Sequence, residues 1–265
     1  MLRVILLILG LLIAGCSSSD DSKKTLVIYT HSSFLASYGP GASIAKAFEK
    51  KYDVSVKMID AGDASLVLQR LKLDHKSQVD VVIGFDQLSK PEAEKLVQWV
   101  PVDMPKVKLN PQFPVADWGP FVPYDWAPLT FVYKKERIKN VSSWKDLLKP
   151  ELEGKLTIQD PRLSTPGLQF LFAVKATQGE EYFNYLNEFK KNVYRVAPSW
   201  SSSYGLFQKG KASAVFSYLT SPVYHWINDG DRSYQAVVLE EGHPVQVELA
   251  GVPRQCKNCE ERRSL

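Results

Sequence analysis

The 265-residue chain has few of the residues from which most metal and redox sites are built, with three cysteines and four histidines. A structural zinc site needs four ligands, and the single C-x-x-C pair, Cys256 and Cys259, has no second pair to complete one. A redox C-x-x-C would follow an early strand rather than stand near the C-terminus. We therefore expect no metal or cofactor, and interpret the pair as incidental or as a small disulfide.

The chain also lacks a large net charge of either sign. The formal net charge is +4 and the basic residues are scattered, so we expect no nucleic-acid partner. The sequence contains no G-x-S-x-G, no H-E-x-x-H and no G-x-x-x-x-G-K phosphate loop. These absences favour a protein that is not an enzyme, although four histidines leave a Ser/His hydrolase arrangement open.

The apolar run at the N-terminus is too short to cross a membrane as a helix. It extends from Val4 to Leu12, whereas a spanning helix needs about 20 apolar residues. Ile13-Ala14-Gly15-Cys16 resembles the bacterial lipobox, so residues 1–16 are predicted to be a lipoprotein signal peptide with Cys16 as the lipidated N-terminus. Residues 17–24 would be a polar tether. We expect a periplasmic or cell-surface location with a lipid anchor, and an ordinary cleaved signal with a chance cysteine is the alternative.

From residue 25 apolar strands alternate with helices. LVIYT, VSVKMI and VDVVIGF predict three strands, and Ser65 to Leu73 predicts a helix between the last two. This βαβαβ order implies a mostly parallel sheet with helices on its faces. Ligands of such sheets lie beyond the carboxyl ends of the strands. The polar and aromatic residues expected there are His31, Ser32, Ser33, Tyr38, Asp60, Asp63 and Asp86.

A second α/β series follows a proline-rich connection, with strands at LTIQD, VYRVA, ASAVFSY, YQAVVLE and VQVELAGV. The sequence therefore predicts an α/β fold of two lobes with mixed, mainly parallel sheets and a ligand cleft between them. We expect lobe 1 to comprise residues 25–120 with 237–265 and lobe 2 to comprise residues 121–236, with crossing segments near 121–133 and 235–251.

Two turns of the second series share one design. Each places a hydroxyl residue before a proline where a helix should begin, at Thr165-Pro166 and at Ser221-Pro222. A hydroxyl at the N-cap with proline at N1 is a strong helix start. Two such helix N-termini at one edge of a sheet would direct free N–H groups into a space that suits a phosphate or another electron-rich group. The alternative is that both residues only start helices.

Aromatic residues surround these turns. Trp200, Tyr218 and Tyr224, with Tyr38 opposite, would give a cleft flat walls for an aromatic or cationic ligand. Asp63 would supply the countercharge. Packing in the core is the alternative for each ring taken alone.

Several segments resemble the thiamine-binding, substrate-binding proteins of bacterial ABC importers. They run in order from about Leu26 to Ala250: YTHSSFLASYGPG, DVVIGFDQ, QDPRLSTPGL, SWSSSYGLFQKG and FSYLTSPVYH. The resemblance implies the two-lobed, type II periplasmic-binding-protein fold, with thiamine or its phosphate esters held between the lobes. The resemblance also implies a set of residues that contact the ligand: Asp63, Ala64, Ser164, Thr165, Trp200, Tyr218, Leu219, Thr220, Ser221 and Pro222, with Tyr224 as a further ring.

This chain departs from that family at three cleft positions. His31 stands where tyrosine is often found, Tyr38 where tryptophan is common, and Ala64 where the family has glycine. We expect both His31 and Tyr38 to contribute to the site. The partners implied are the permease of an ABC transporter and the membrane, and the protein is expected to be a monomer. The alternative ligands are a polyamine or ferric ion, although the Tyr-Tyr pair typical of ferric-binding proteins is absent.

The C-terminus ends soon after the last predicted strand. PRQCKNCEERRSL, which is polar and basic, follows VQVELAGV directly, where the resemblance implies further helices and another ring for the cleft. We expect a truncated member of the family with an incomplete first lobe. A naturally compact variant is the alternative.

Overall fold

A computed structural model of the protein describes three segments, residues 24–74, 78–102 and 117–254. Several predictions concern residues outside them: the signal peptide with Cys16, nearly all of the tether, and the pair Cys256 and Cys259. Within the described segments, no helix combines the length and the apolar character that crossing a membrane requires.

The described segments contain ten strands and eight α-helices, which alternate along most of the chain. The strands are β1 Thr25–Thr30, β2 Ser55–Asp60, β3 Val81–Asp86, β4 Trp99–Val100, β5 Val122–Lys134, β6 Leu156–Gln159, β7 Val193–Ala197, β8 Ala214–Tyr218, β9 Tyr234–Ala236 and β10 Val245–Pro253. The helices are α1 Ser32–Leu35, α2 Gly41–Tyr52, α3 Ala64–Leu73, α4 Lys90–Leu96, α5 Thr165–Gln178, α6 Tyr182–Phe189, α7 Trp200–Gln208 and α8 Ser221–Asp229. Short 3₁₀ helices occupy Lys145–Leu148, Pro150–Leu152, Gly179–Glu181 and Lys190–Asn192.

The strands form one mixed sheet in the order β2-β1-β3-β10-β5-β8-β6-β7, with β4 paired to β10 and β9 to β5. Strand β1 is parallel to β2 and β3, and β6 is parallel to β7 and β8. Every antiparallel pair includes β5 or β10. The strands are thus parallel on both flanks of the sheet, as the βαβ pattern predicted. They are antiparallel where the two long strands, β5 and β10, join the flanks.

The apolar side chains collect in two main cores. The first core packs Phe85, Trp99 and Phe121 edge to face or tilted, with ring centroids 5.0–6.0 Å apart. The second core is centred on Phe131 and Phe170, whose centroids are 6.2 Å apart. Large aromatic rings dominate both cores, and their burial is the main favourable term in forming the two halves.

Strand β5 connects these cores because it is long enough to serve both. Its first half pairs with β10, and its second half pairs with β8. Accordingly Leu129 and Phe131 lie in the second core, while Trp126 packs against the first. Residues that β5 and β10 place between the cores are therefore held by sheet pairing on either side.

Three local predictions from sequence were wrong in detail. Ser164 and Thr220, one residue earlier than predicted, are the N-caps of α5 and α8, which makes Thr165 and Ser221 the first helical residues. The strand predicted at YQAVVLE is only three residues long, Tyr234–Ala236. The short strand β4, paired to β10, was not predicted.

Candidate ligand-binding site

A cavity of about 660 Å³ lies where the two halves of the sheet meet. The first half contributes the loop after β1 and the start of α3, and the second half contributes the starts of α5, α7 and α8. Strands β5 and β10 supply further lining residues from between the cores. A site at the carboxyl ends of parallel strands and the N-termini of helices is where α/β sheets bind ligands.

Ten of the thirteen ligand-binding residues predicted from sequence line this cavity. They are His31, Tyr38, Asp63, Ala64, Thr165, Trp200, Tyr218, Thr220, Ser221 and Tyr224. Three do not line it: Ser164, Leu219 and Pro222. Ser164 is fully buried directly behind Thr165, whereas Leu219 and Pro222 belong to the turn that carries Thr220 and Ser221. Contact with a ligand stays a prediction for all thirteen.

One wall of the cavity is aromatic. Trp200 stacks on Tyr204 with centroids 5.0 Å apart and an interplanar angle of 29°, and lies 6.0 Å from Tyr218. Tyr38 and Tyr224 meet edge to face at 6.2 Å, although they come from opposite halves of the sheet. Both are about half exposed, at 50% and 44%, so they stand at the mouth. The arrangement presents flat rings both inside the cavity and at its entrance.

Hydrogen bonds fix the orientation of the inner rings. The indole N–H of Trp200 donates to the Ser217 hydroxyl at 2.9 Å. The Tyr204 hydroxyl is 2.8 Å from Nε2 of buried His225, whose Nδ1 is 2.6 Å from Asp229. Burial raises the pKa of Tyr204, so its hydroxyl stays protonated. The chain of partners holds the aromatic wall in one geometry without a ligand.

The helix N-termini bring buried hydroxyls to the same space. Ser164 and Thr165 are almost completely buried, and neither hydroxyl has a hydrogen-bond partner of good geometry in the described part of the chain. Ser164 is nevertheless close enough to Asp63 to favour the charged form of that carboxylate. On the facing helix, the Ser221 hydroxyl is 3.0 Å from that of Ser217. Unpaired buried hydroxyls beside free helix N–H groups suit a polar or anionic ligand group.

Three carboxylates line the cavity: Asp63, Asp125 and Glu248. Burial raises the pKa values of Asp63 and Asp125. Burial also acts against the charged form of Glu248, but the close contact and charge of His31, with hydrogen bonds from Tyr124 and Gln246, outweigh it and the pKa of Glu248 is lowered. Among the described lining residues there is no Lys or Arg. The electrostatic character of the cavity therefore favours a cation.

Sequence reasoning missed the lining residues of the two long strands, which include Tyr124, Asp125, Gln246 and Glu248. A signal was present, because Asp125 and Glu248 are charged residues inside otherwise apolar strand segments. A buried charge in such a strand needs a partner, and that makes it a candidate functional group.

A cavity between two α/β halves, built from helix N-termini, aromatic rings and strand residues of both halves, defines the class of a two-lobed solute-binding protein. The family described as bacterial extracellular solute-binding protein matches residues 43–265. The chain belongs to this family.

Similar proteins carry more specific names. The chain is 36% identical over 242 residues to the thiamine-binding periplasmic protein of Brucella suis biovar 1, covering 90% of this chain and 72% of that protein. It is 34% identical over 239 residues to the protein of that name from Escherichia coli K12, covering 89% and 72%. A solved structure called periplasmic thiamin binding protein superposes with a TM-score of 0.84 at 33% identity, covering 91% of this chain and 76% of that one. The predicted fold class and family resemblance are confirmed.

Proposed function

We propose that this protein captures thiamine or a thiamine phosphate outside the cytoplasm and delivers it to the permease of an ABC importer. The observation that carries the proposal is the cavity itself, which combines aromatic walls with three carboxylates and, among its described lining residues, no Lys or Arg. Relatives named as thiamine-binding periplasmic proteins support it.

Different parts of the proposed ligand match different parts of the cavity. An aromatic, positively charged ring system gains from stacking on Trp200 and Tyr218, and from the field of Asp63 and Glu248. A phosphate ester would place its anion at the N-termini of α5 and α8, where Thr165 and Ser221 offer hydroxyls. The site residues predicted from sequence thus divide into a cation-binding wall and an anion-binding edge.

Native mass spectrometry of the purified protein, followed by addition of candidate ligands, tests the proposal. We expect a mass increment for one molecule of thiamine or an ester, and none for a polyamine or ferric ion at equal concentration. Replacing Tyr218 by Leu should reduce the increment, whereas replacing Tyr194, which is exposed and does not line the cavity, should leave it unchanged. Retention of a polyamine in preference to thiamine would contradict the proposal.

We propose further that the protein binds its ligand without transforming it. The arrangement of Ser221, Tyr204 and His225 supports a positioning role, because His225 contacts the Tyr204 hydroxyl and Asp229. Incubation with thiamine phosphates should therefore return them unchanged. Release of inorganic phosphate that depends on His225 would indicate a hydrolase instead.

The proposed mature protein is a monomer anchored by lipid on Cys16 and located at the outer side of a bacterial membrane. The support is the short apolar run and lipobox-like sequence, which lie outside the described residues. Metabolic labelling with a fatty-acid analogue should tag the protein and should fail with Cys16→Ala. Equal labelling of both forms would contradict the anchor.

Closure of two lobes on the ligand completes the proposal, with lobe 1 at 25–120 and 237–265 and lobe 2 at 121–236. Edge-to-face contact of Tyr38 with Tyr224, across the mouth, supports it. A ligand that touches both lobes favours the closed state through these differential contacts. Small-angle scattering should show a smaller radius of gyration at saturating thiamine, and an unchanged radius would contradict closure.

A further inference from the structure

Glu248 is a carboxylate of the cavity that is held by three neighbouring side chains. It lies in the middle of β10, and its side chain is only 11% exposed. It accepts hydrogen bonds from the Tyr124 hydroxyl and, at 3.2 Å, from the amide of Gln246. Its Oε2 is 3.3 Å from Nε2 of His31. Strand pairing on both sides of β10 fixes this carboxylate, so it provides a rigid negative charge in the cavity.

His31 is held beside Glu248 by the shape of β3. Gly84 on that strand has φ +99°, and a Cβ atom placed there would lie 2.1 Å from Cδ2 of His31. Only the absence of a side chain at Gly84 leaves room for the imidazole ring. The ring is 8% exposed and contacts Glu248 in an ion pair whose angles fall outside hydrogen-bond geometry. His31 therefore lies next to the carboxylate of Glu248 without forming a hydrogen bond of good geometry with it.

The surroundings of His31 are acidic. Four carboxylates interact with its charge: Asp60 at the end of β2, Asp63 before α3, Asp125 on β5 and Glu248 on β10. Tyr124 on β5 and Asp86 on β3 interact in turn with Glu248. Burial lowers the pKa of His31, but the close contact and charge of Glu248 and the charges of Asp63 and Asp60 outweigh it, and the pKa lies above the ordinary 6.5.

The other histidine of the cavity, His225, is already engaged by Tyr204 and Asp229. His31 is thus the group among the described lining residues that can place a positive charge beside Glu248. A cationic ligand entering the cavity would compete for the same carboxylate.

We propose that Glu248 selects the cationic part of the ligand, and that His31 is its counter-ion before the ligand binds and loses a proton when the ligand binds. This inference rests on the proposed function, since it concerns how the same cavity recognises thiamine. A fixed positive charge beside Glu248 repels the imidazolium, so the bound state favours neutral His31. By reciprocity, protonation of His31 weakens binding.

The direction of the pH dependence follows. The pKa of His31 is raised in the free protein and is lower in the complex. The affinity for the ligand is therefore highest when the pH lies above the pKa of His31 in the free protein. The affinity falls as the pH drops below this pKa, by at most about tenfold per pH unit for one proton. It levels off when the pH lies below the pKa of His31 in the complex.

Calorimetry of free thiamine between pH 6 and pH 8, in buffers of different ionisation enthalpy, measures the protons released. We expect release of up to one proton in the wild type and a weaker affinity at the acid end. His31→Gln keeps an amide near Glu248 but cannot titrate, so both effects should vanish. Glu248→Gln should lose about 10- to 100-fold in affinity at pH 8, since a charged partner is removed. His243→Gln and the exposed Glu188→Gln are matched controls outside the cavity and should behave as wild type.

Nuclear magnetic resonance of the unliganded protein provides a readout that does not need thiamine. The ring signal that disappears in His31→Gln should titrate above pH 6.5 in the wild type, and the midpoint should fall in Glu248→Gln. Should His31→Gln misfold, proton release by the wild type alone decides. Thiamine that binds equally at every pH without proton release would overturn this inference and leave the proposed function standing. Failure to bind at any pH would overturn the proposed function itself.

Discussion

The carboxylate of Asp63 accepts a hydrogen bond from the backbone N–H of Trp200 at 3.2 Å, across 137 residues of sequence. Asp63 is the N-cap residue of α3, and Trp200 is the first residue of α7. The bond therefore joins a loop of the first half directly to a helix N-terminus of the second half, at the wall of the cavity. A charged group near a helix N-terminus is favourable, yet this one is buried, and burial raises the pKa of Asp63.

The substitution Asp63→Asn should change the stability of the fold and the affinity for thiamine in opposite directions. Because the folded-state pKa of Asp63 is raised, its charge disfavours folding at neutral pH, and this cost disappears as the pH falls and the group is protonated. The variant should therefore melt at a higher temperature at pH 7.5, with the difference shrinking towards acid. It should bind thiamine about 10- to 100-fold more weakly, because a charged partner is lost.

Asp146→Asn is the control with the opposite sign. Its hydrogen bond with Lys149 lowers the pKa of Asp146 to about 2, so its charge favours folding above the ordinary pKa and is lost in acid. The variant should melt at a lower temperature at pH 7.5 and bind normally. If Asp63→Asn also melted at a lower temperature than the wild type, the claim that the buried charge of Asp63 costs stability while it contributes to ligand binding would be wrong.

Removing one ring of the aromatic wall should weaken binding moderately. Stacking and cation–π contacts contribute about 0.5–2 kcal/mol each, so Trp200→Ala should raise the dissociation constant for thiamine about 2- to 30-fold. Trp226→Ala is the matched control, because Trp226 is 51% exposed and does not line the cavity. Equal losses of affinity in the two variants, measured by fluorescence titration, would count against a role for the wall.

Thr165→Val tests the anion-binding edge. The Thr165 hydroxyl is buried without a partner in the described part of the chain, so its replacement by a methyl group should change stability little. Binding of thiamine phosphates should weaken more than binding of free thiamine, since only the esters carry an anion. Thr177→Val, on the exposed face of α5, is the control. Equal losses for esters and free thiamine in calorimetry would exclude the phosphate role.

Gly84→Ala should disturb the cavity through His31. The added Cβ would strain a backbone at φ +99° and would also displace the imidazole ring. We expect a loss of about 1–3 kcal/mol of unfolding free energy and a shifted His31 titration. Gly154→Ala shares the positive φ, +62°, but its Cβ would meet nothing within 4 Å. It should lose less stability in denaturant titration and leave His31 unchanged, and the same loss in both variants would contradict the clash.

The features that sequence predicted are those encoded locally. Apolar runs at β1, β3 and β8, with polar residues just beyond them, were sufficient to predict parallel strands and a site at their carboxyl ends. Thr165 and Ser221 were placed correctly at the cavity even though their caps were predicted one residue late, because a shift of one residue does not move a helix N-terminus far.

The contribution of β5 and β10 could not be predicted in the same way. Tyr124 meets Glu248 across 124 residues, and Glu248 meets His31 across most of the chain. Such contacts depend on the register of two antiparallel strands, which alternation of side chains alone does not specify. Recognising Asp125 and Glu248 as charged residues inside apolar strand segments would have added them to the site.

Calorimetric titration of thiamine into protein that has been unfolded, freed of any co-purified ligand and refolded shows whether the cavity binds thiamine. We expect one site with a dissociation constant of about 1 μM or tighter, which corresponds to about −8 kcal/mol. Saturating ligand should also raise the melting temperature, because it binds the folded state alone. The absence of heat and of any melting shift at millimolar thiamine, in protein that has regained its fold, would contradict the account.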